Sequence, residues 1–288
     1  MDSELQVNEN DTQIHIKGRE FAYTIDKRTA LFTEMKFAGR EYLNHPMELN
    51  IWRAPTDNDM YIKAEWKKAH YDKAYTRAYT TEVVQGKHGV KIVSHASVVA
   101  ETVQKILDVT ITWKIDASGK IDADIEATKD GEFPDLPRFG VRMFLDKKLS
   151  DARYFGMGPQ ESYRDKHQAA SHGLYRANVR DLHEDYIRPQ ENGSHNDCGY
   201  VDLNNSRYGM AAFSESTFSF NASYYTQEEL EKKTHNYELA ESDSVVLCVD
   251  YALNGIGSNS CGPVVLDQYR FNDVLFRFQF TLVPYVKG

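Results

Sequence analysis

Leu107-Asp108-Val109-Thr110-Ile111-Thr112-Trp113-Lys114-Ile115 alternates apolar and polar residues without a break. After Asp116-Ala117-Ser118-Gly119-Lys120 the alternation resumes as Ile121-Asp122-Ala123-Asp124-Ile125-Glu126-Ala127. Successive side chains of an extended backbone point to opposite faces, so each run can bury one face and wet the other. The intervening glycine-containing segment predicts a turn, and with it an antiparallel hairpin. The same period recurs at Phe139/Val141/Met143/Leu145, at Phe218/Phe220/Ala222/Tyr224 and at Phe21/Tyr23/Ile25. It is clearest at Val274/Phe276/Phe278/Phe280/Leu282, with Arg277, Gln279 and Thr281 on the other face. Strands at this density, with no strand–helix–strand rhythm, predict an all-β fold built as a large antiparallel sandwich.

Few helices are expected. Thr226-Gln227-Glu228-Glu229 has the form of a capping box, in which Thr226 accepts from the Glu229 amide and Glu229 reaches back. It predicts a short helix running toward His235. The stretch 61–75 carries Ile62, Trp66 and Ala69 on one side and predicts another. No Pro/Gly/Ser linker interrupts the sequence, so residues 1–288 are expected to form one domain.

Composition narrows the class. Apolar residues make up 41% of the 288 positions and aromatics 12%, enough for a sizeable core. The formal charge of −9 argues against general affinity for nucleic-acid phosphates or anionic membranes. No stretch approaches the ~18 apolar residues that a membrane-spanning helix needs. Met1-Asp2-Ser3-Glu4 has neither a basic nor an apolar region, so no signal peptide is expected in the chain given. Cys198, Cys248 and Cys261 are odd in number and widely spaced, which suits reduced thiols in a cytoplasm.

Four polar loops carry the functional signal. Arg53-Ala54-Pro55-Thr56-Asp57-Asn58-Asp59 follows Ile51-Trp52, and Gly156-Met157-Gly158-Pro159-Gln160-Glu161-Ser162-Tyr163 follows Tyr154-Phe155. Pro189-Gln190-Glu191-Asn192-Gly193 is the third, and residues 254–263 are the fourth. Planar hydrogen-bonding groups beside aromatics suit sugar hydroxyls and the flat face of a sugar ring. The plain alternative for any one loop is that these residues only hold turns. Glycoside hydrolysis calls on two carboxyl groups about 5–5.5 Å apart for retention, or about 6.5–9.5 Å for inversion. Glu161, Asp165 and Glu191 are the nearest loop candidates, but among 43 acidic residues some such pair arises by chance. Asp57 and Asp59 lack the continuation of a calcium loop and are expected to bond Arg53 and nearby amides. The histidines lack metal-ligand spacing, so no metal site is expected in this chain. Arg53, Asp57, Asn58, Asp59, Glu161 and Asn192 are instead expected to gather at one end or groove, with Arg53 paired to a carboxylate. Glu191 and His235 complete this candidate sugar or interface groove.

The same loops carry a family resemblance. The segment 52–59, the segment 154–165 and Tyr186-Ile187-Arg188-Pro189-Gln190-Glu191-Asn192-Gly193 resemble, in order, three motifs of the β-galactosidase small-chain domain. Ser223-Tyr224-Tyr225-Thr226 with Leu230 and Thr234-His235 is similar to a fourth. Gly255-Ile256-Gly257-Ser258-Asn259-Ser260-Cys261-Gly262-Pro263 is similar to a fifth. The resemblance covers essentially the whole chain and implies glycoside hydrolase family 2. It implies a galactose-mutarotase-like supersandwich, in agreement with the strand pattern. It also implies that the catalytic glutamates, with magnesium and sodium, belong to a separate (β/α)₈ barrel that hydrolyses terminal β-D-galactosides, so that no catalytic residue lies in this chain. The partner is then a barrel-containing catalytic portion or large subunit, and this chain alone is expected to be inactive. In the family the last glycine-rich loop reaches the rim of the sugar pocket, which marks Asn259, Ser260 and Cys261 as substrate-binding candidates. The best-known members carry tryptophan where Cys261 stands, and a thiol offers no aromatic platform. Met1 just before the first strands fits either a natural small subunit or a piece of a longer polypeptide, and the second is favoured. An aldose-1-epimerase-like enzyme, with Glu191 or Glu161 and His235 or His195 as acid and base, is one alternative. A carbohydrate-binding or assembly module is the other.

Overall fold

A computed structural model describes residues 5–288; the Met1-Asp2-Ser3-Glu4 segment, and the leader reading that concerns it, lie outside the described residues. A five-stranded sheet runs in chain order through β1 (Gln6–Glu9), β2 (Gln13–Lys17), β3 (Phe21–Asp26), β4 (Leu31–Phe37) and β5 (Arg40–Glu41). The larger sheet holds the other strands. They are β6 (Leu43–Asn50), β7 (Tyr75–Gln85), β8 (Gly89–Val99), β9 (Leu107–Asp116), β10 (Ile121–Lys129) and β11 (Arg138–Asp146). They continue as β12 (Asp151–Gly158), β13 (Ser171–Asn178), β14 (Ser194–Asn204), β15 (Tyr208–Ser223), β16 (Ser244–Leu253) and β17 (Leu275–Val286). Their pairings are antiparallel, as the alternation predicts.

The hairpin β9–β10 pairs Ile115 with Ile121, Trp113 with Ala123 and Ile111 with Ile125. All six side chains are buried, so the apolar face of the pattern is the core face. Strand β15 is 16 residues long and forks the sheet. Its first part, residues 208–213, pairs with β17 and leads on to β10, β9, β8 and β7. Its last part, residues 219–223, pairs with β16 and leads to β11 and β6. The fork turns one long sheet into packed layers around a continuous core.

On the branch made by β15, β16 and β11, Phe220, Val249 and Val141 lie side by side and face the core. The opposite face carries Arg142, Cys248 and Asn221 in one row, and Asp250 and Ser219 in the next. From its polar residues, this second face would be expected to meet solvent. Instead, eight of the nine β11 residues are buried, because the polar loops lie over it. The loops therefore meet a sheet face that supplies charge, and that contact builds the site.

Both helices are shorter than the sequence predicts. The first, α1 (Ile62–Lys68), stops at Ala69, and His70 takes φ 57° before a separate 3₁₀ turn at Tyr71–Lys73. The second, α2 (Gln227–Lys232), ends because Lys233 is already extended. Its cap is half of the expected box: the Glu229 amide donates to Thr226 Oγ1 at 3.1 Å. The Glu229 carboxylate turns away to accept from the Ala240 amide at 2.8 Å.

Candidate functional site

Two buried arginines organise the covered face. Arg138 grips Asp250 through Nε (3.2 Å to Oδ1) and Nη2 (2.6 Å to Oδ2), and its Nη1 lies 3.2 Å from Glu191 Oε2. All three side chains are almost completely buried. Gly140 is needed beneath them, since a Cβ there would lie 2.2 Å from the Val249 carbonyl oxygen and 2.5 Å from Asp250. Burial by itself disfavours the Arg138 charge; the attraction of Asp250, then of Glu191, outweighs it and holds the guanidinium above its ordinary range. Burial pushes the Glu191 carboxyl up, with Arg138 and Arg53 pulling the other way.

Arg53 sits at the next level. It contacts Asp59 through Nε at 3.2 Å and Nη2 at 2.8 Å, and Asp59 also accepts from the Thr56 amide at 2.9 Å. Arg53 Nη1 donates to the Asn254 carbonyl at 2.6 Å, and Nη2 also donates to the Gly255 carbonyl at 3.1 Å. One buried cation thus fastens the first polar loop to the last. The third loop is joined to the first twice. The Glu191 amide donates to the Ala54 carbonyl at 3.0 Å, and Asp57 exchanges bonds with Gln190 at 3.0 and 3.2 Å.

Glu161 of the second loop accepts from the Gly193 amide at 2.8 Å and contacts Lys166 and Tyr186. Asn192 accepts from the Glu184 amide at 2.9 Å and donates to the Gln190 carbonyl at 2.9 Å. Its own carbonyl accepts from Asn221 on β15 at 2.5 Å. Arg53, Asp57, Asn58, Asp59, Glu161, Glu191 and Asn192 are therefore brought together through a connected set of bonds. His235 is not. It is exposed, stacks on Tyr237 and lies 3.8 Å from Glu238, although the next residue, Asn236, donates to the Ile187 carbonyl at 3.0 Å.

The loop 254–263 is braced from two sides. Asp165 accepts from the Ile256 amide at 2.9 Å and the Gly257 amide at 2.7 Å. Asn58 donates to the Gly257 carbonyl at 2.7 Å and accepts from the Ser260 hydroxyl at 2.8 Å. Gly257 has φ 67°, and a Cβ there would lie 2.6 Å from Val265, so glycine is required at this bend. At the tip the Gly262 amide donates to the Ser258 carbonyl at 2.7 Å, and Cys261 is exposed while Cys198 and Cys248 are buried. Asn259, Ser260 and Cys261 thus stand on a loop whose root is fixed and whose tip is open.

Sequence reasoning passes over Arg138 and Asp250. The available signal is charge inside apolar strands: Arg138 and Arg142 in the run 138–145, and Asp250 in the run 245–253. Within the cluster Asp59 and Glu161 are held by cations and amide donors, while Glu191 meets Arg138 through Oε2 and its buried Oε1 has no hydrogen-bond partner. Among the described residues no group of three His, Cys, Asp or Glu side chains is arranged to hold a metal ion.

Known proteins resemble the chain along almost its whole length. The family described as "Beta galactosidase small chain" matches residues 17–282. The β-galactosidase of Actinobacillus pleuropneumoniae is 43% identical over 281 residues, 98% of this chain. That of Staphylococcus xylosus is 34% identical over 282 residues, again 98%. The chain spans 28% of the length of each of these relatives. Among solved structures, galactose 1-epimerase from Lactobacillus acidophilus aligns with a TM-score of 0.53 at 9% identity, covering 99% of this chain and 100% of that one. That likeness shows the galactose-mutarotase-like fold, as the strand pattern and the resemblance imply. The ordered loop motifs and the match across the chain lead to one assignment: it belongs to the β-galactosidase small-chain family.

Proposed function

We propose that the chain is the non-autonomous part of a β-galactosidase that covers the active-site mouth of a separate (β/α)₈ barrel. The bracing of the loop 254–263 by Arg53, Asn58 and Asp165 is the observation that carries this reading. A loop fixed at its root and open at its tip is suited to shape a pocket supplied by another part of the enzyme. Its tip holds Asn259, Ser260 and Cys261 beside a bound galactoside. Exposed apolar residues at the same loops, among them Met60, Tyr61, Ile187, Val264 and Leu266, suit contact with that larger portion. One buried cluster extending from Leu5 to Leu282 supports treating the chain as one domain.

In this reading the barrel supplies the acid/base and nucleophile carboxyls together with magnesium and sodium. Here Asp59 is committed to Arg53 and Glu161 to Lys166 and Gly193, and Glu191 is tied to Arg138 through Oε2 alone. The same commitments weaken an epimerase reading, as does His195, which is buried with its Nδ1 3.0 Å from the Met157 carbonyl. Among the described residues no helix is long and apolar enough to cross a membrane. The three free cysteines support a cytoplasmic enzyme.

The test is turnover of a chromogenic β-galactoside by the purified chain. The expected result is none above background. Turnover that survives purification and disappears on Glu191→Gln contradicts the reading.

A further inference from the structure

The buried junction between the polar loops and the sheet holds more acids than cations. Asp59, Asp250 and Glu191 face the guanidiniums of Arg53 and Arg138, and all of these side chains are buried. Glu161, beside them, has its own cation in Lys166. Two other titratable groups face the cluster without charge. Burial pushes the Cys248 thiol up to about 12 and raises the Tyr163 phenol well above its ordinary range. With every acid ionised, the junction would therefore seal in a carboxylate that no cation balances, an arrangement that folds avoid by keeping the group neutral.

The hydrogen bonds identify the odd acid. Asp59 accepts from Nε and Nη2 of Arg53 and from the Thr56 amide. Asp250 gives both of its oxygens to Arg138, at 3.2 and 2.6 Å. Glu191 has a single side-chain contact, 3.2 Å from Arg138 Nη1 to Oε2, and its Oε1 has no partner although the residue is only 4% exposed. Arg53 turns its donors to Asp59 and to the Asn254 and Gly255 carbonyls. The hydroxyls of Tyr163 and Thr56, buried on adjoining loops, are without partners as well, so neither donates to Oε1. Burial raises the carboxyls of Glu191 and Asp250 alike; the bonding decides between them, because the guanidinium holds Asp250 by both oxygens. A metal cation on Oε1 would be opposed by the two guanidiniums, and a water there would hydrate the charge without balancing it.

We propose that Glu191 keeps its proton at neutral pH and serves as an uncharged acid that latches the third polar loop to the sheet. When that proton leaves for solvent, a carboxylate stays behind in the sealed junction and the latch weakens. The proposal follows from the charges at the junction and does not depend on the barrel-covering role.

The test uses the full chain labelled with carbon-13 at the glutamate side-chain carboxyls, which leaves Asp250 silent, and follows them by NMR from about pH 4 to about pH 8. One glutamate should hold its protonated shift at neutral pH, and that signal should be absent from Glu191→Gln. Asp250→Asn removes the excess charge, so in that variant the same signal should move to the ionised position. The proton also fixes a sign. A carboxyl whose folded-state pKa lies above its unfolded value, about 4.3, contributes stability that is fully present below the unfolded value and is lost as pH rises toward the folded one. Glutamine has no such proton, so the unfolding temperature of Glu191→Gln should gain on that of the wild type by about 5 °C between about pH 5 and about pH 7. An ionised, salt-bridged Glu191 gives the opposite trend. If Glu191→Gln does not fold, the wild-type spectrum and its response to Asp250→Asn decide. Titration of every glutamate in its ordinary range, a retained signal that survives Glu191→Gln or ignores Asp250→Asn, or an unfolding-temperature difference that falls with pH overturns the proposal.

Discussion

Arg138 is surrounded by Asp250 and Glu191 with almost no water in reach. Removing it leaves two acidic groups buried without their cation, a loss of about 3–5 kcal/mol for buried pairs. Arg138→Met should therefore lower urea-unfolding stability by about that amount. Adding Asp250→Leu and Glu191→Gln should recover much of it. His195 supplies a pH dependence. Burial lowers its pKa to about 4, against about 6.5 in an unfolded chain. The folded chain thus binds that proton less readily, so its contribution to stability is fully present above about pH 6.5 and is lost as pH falls toward 4. Between about pH 7 and pH 5 the loss should be about 2 kcal/mol. Urea titrations of the wild type and His195→Gln, compared at both pH values, measure it; equal losses in the two proteins contradict the assignment. At this scale the sequence is partly legible. Arg53 stands among loop acids and its pairing can be read, whereas Arg138 lies in an alternating strand and its burial depends on loops far away in sequence.

The element that matters most is the loop 254–263. The side chain of Asp165 holds its amides at Ile256 and Gly257, so Asp165→Ala should speed hydrogen exchange at those two positions. The same variant should raise the labelling rate of the exposed Cys261. Unchanged exchange and labelling would show that the loop is held by other means. Strands β9, β10 and β17 are readable because a period of two sustained over so many residues has no competing explanation. The helices are less so. The pattern Ile62, Trp66, Ala69 is helical, but His70 adopts the left-handed conformation and ends it. Glu229 has a choice of amides, and the tertiary partner at Ala240 wins over the local cap. The candidate loops are visible through their Asn, Gly and Pro content. Which loop fastens which is not, because those bonds join residues about 200 positions apart, Arg53 to Asn254 and Asn58 to Gly257.

At the scale of the molecule, the forked sheet has an apolar interior on one side and a charged, loop-covered face on the other. That second face holds the loops in register, and its carboxylates are used in doing so. The chain spans 28% of the length of the Actinobacillus and Staphylococcus relatives, and in the proposed reading this face gives a rim its rigidity while the rest of the enzyme carries the chemistry. In the reassembled enzyme Cys261→Trp should change KM for galactosides several-fold with a smaller change in kcat, because an aromatic face beside the sugar acts first on binding. The most direct measurement of the central claim is the rate of β-galactoside hydrolysis by the matching barrel-containing portion, with and without this chain. Adding the chain should raise kcat/KM at least about tenfold, as expected when a site is completed, and replacing residues 254–263 with a Gly-Ser linker should remove most of the gain. A barrel portion equally active without the chain, or a chain that hydrolyses the substrate unaided, would contradict it.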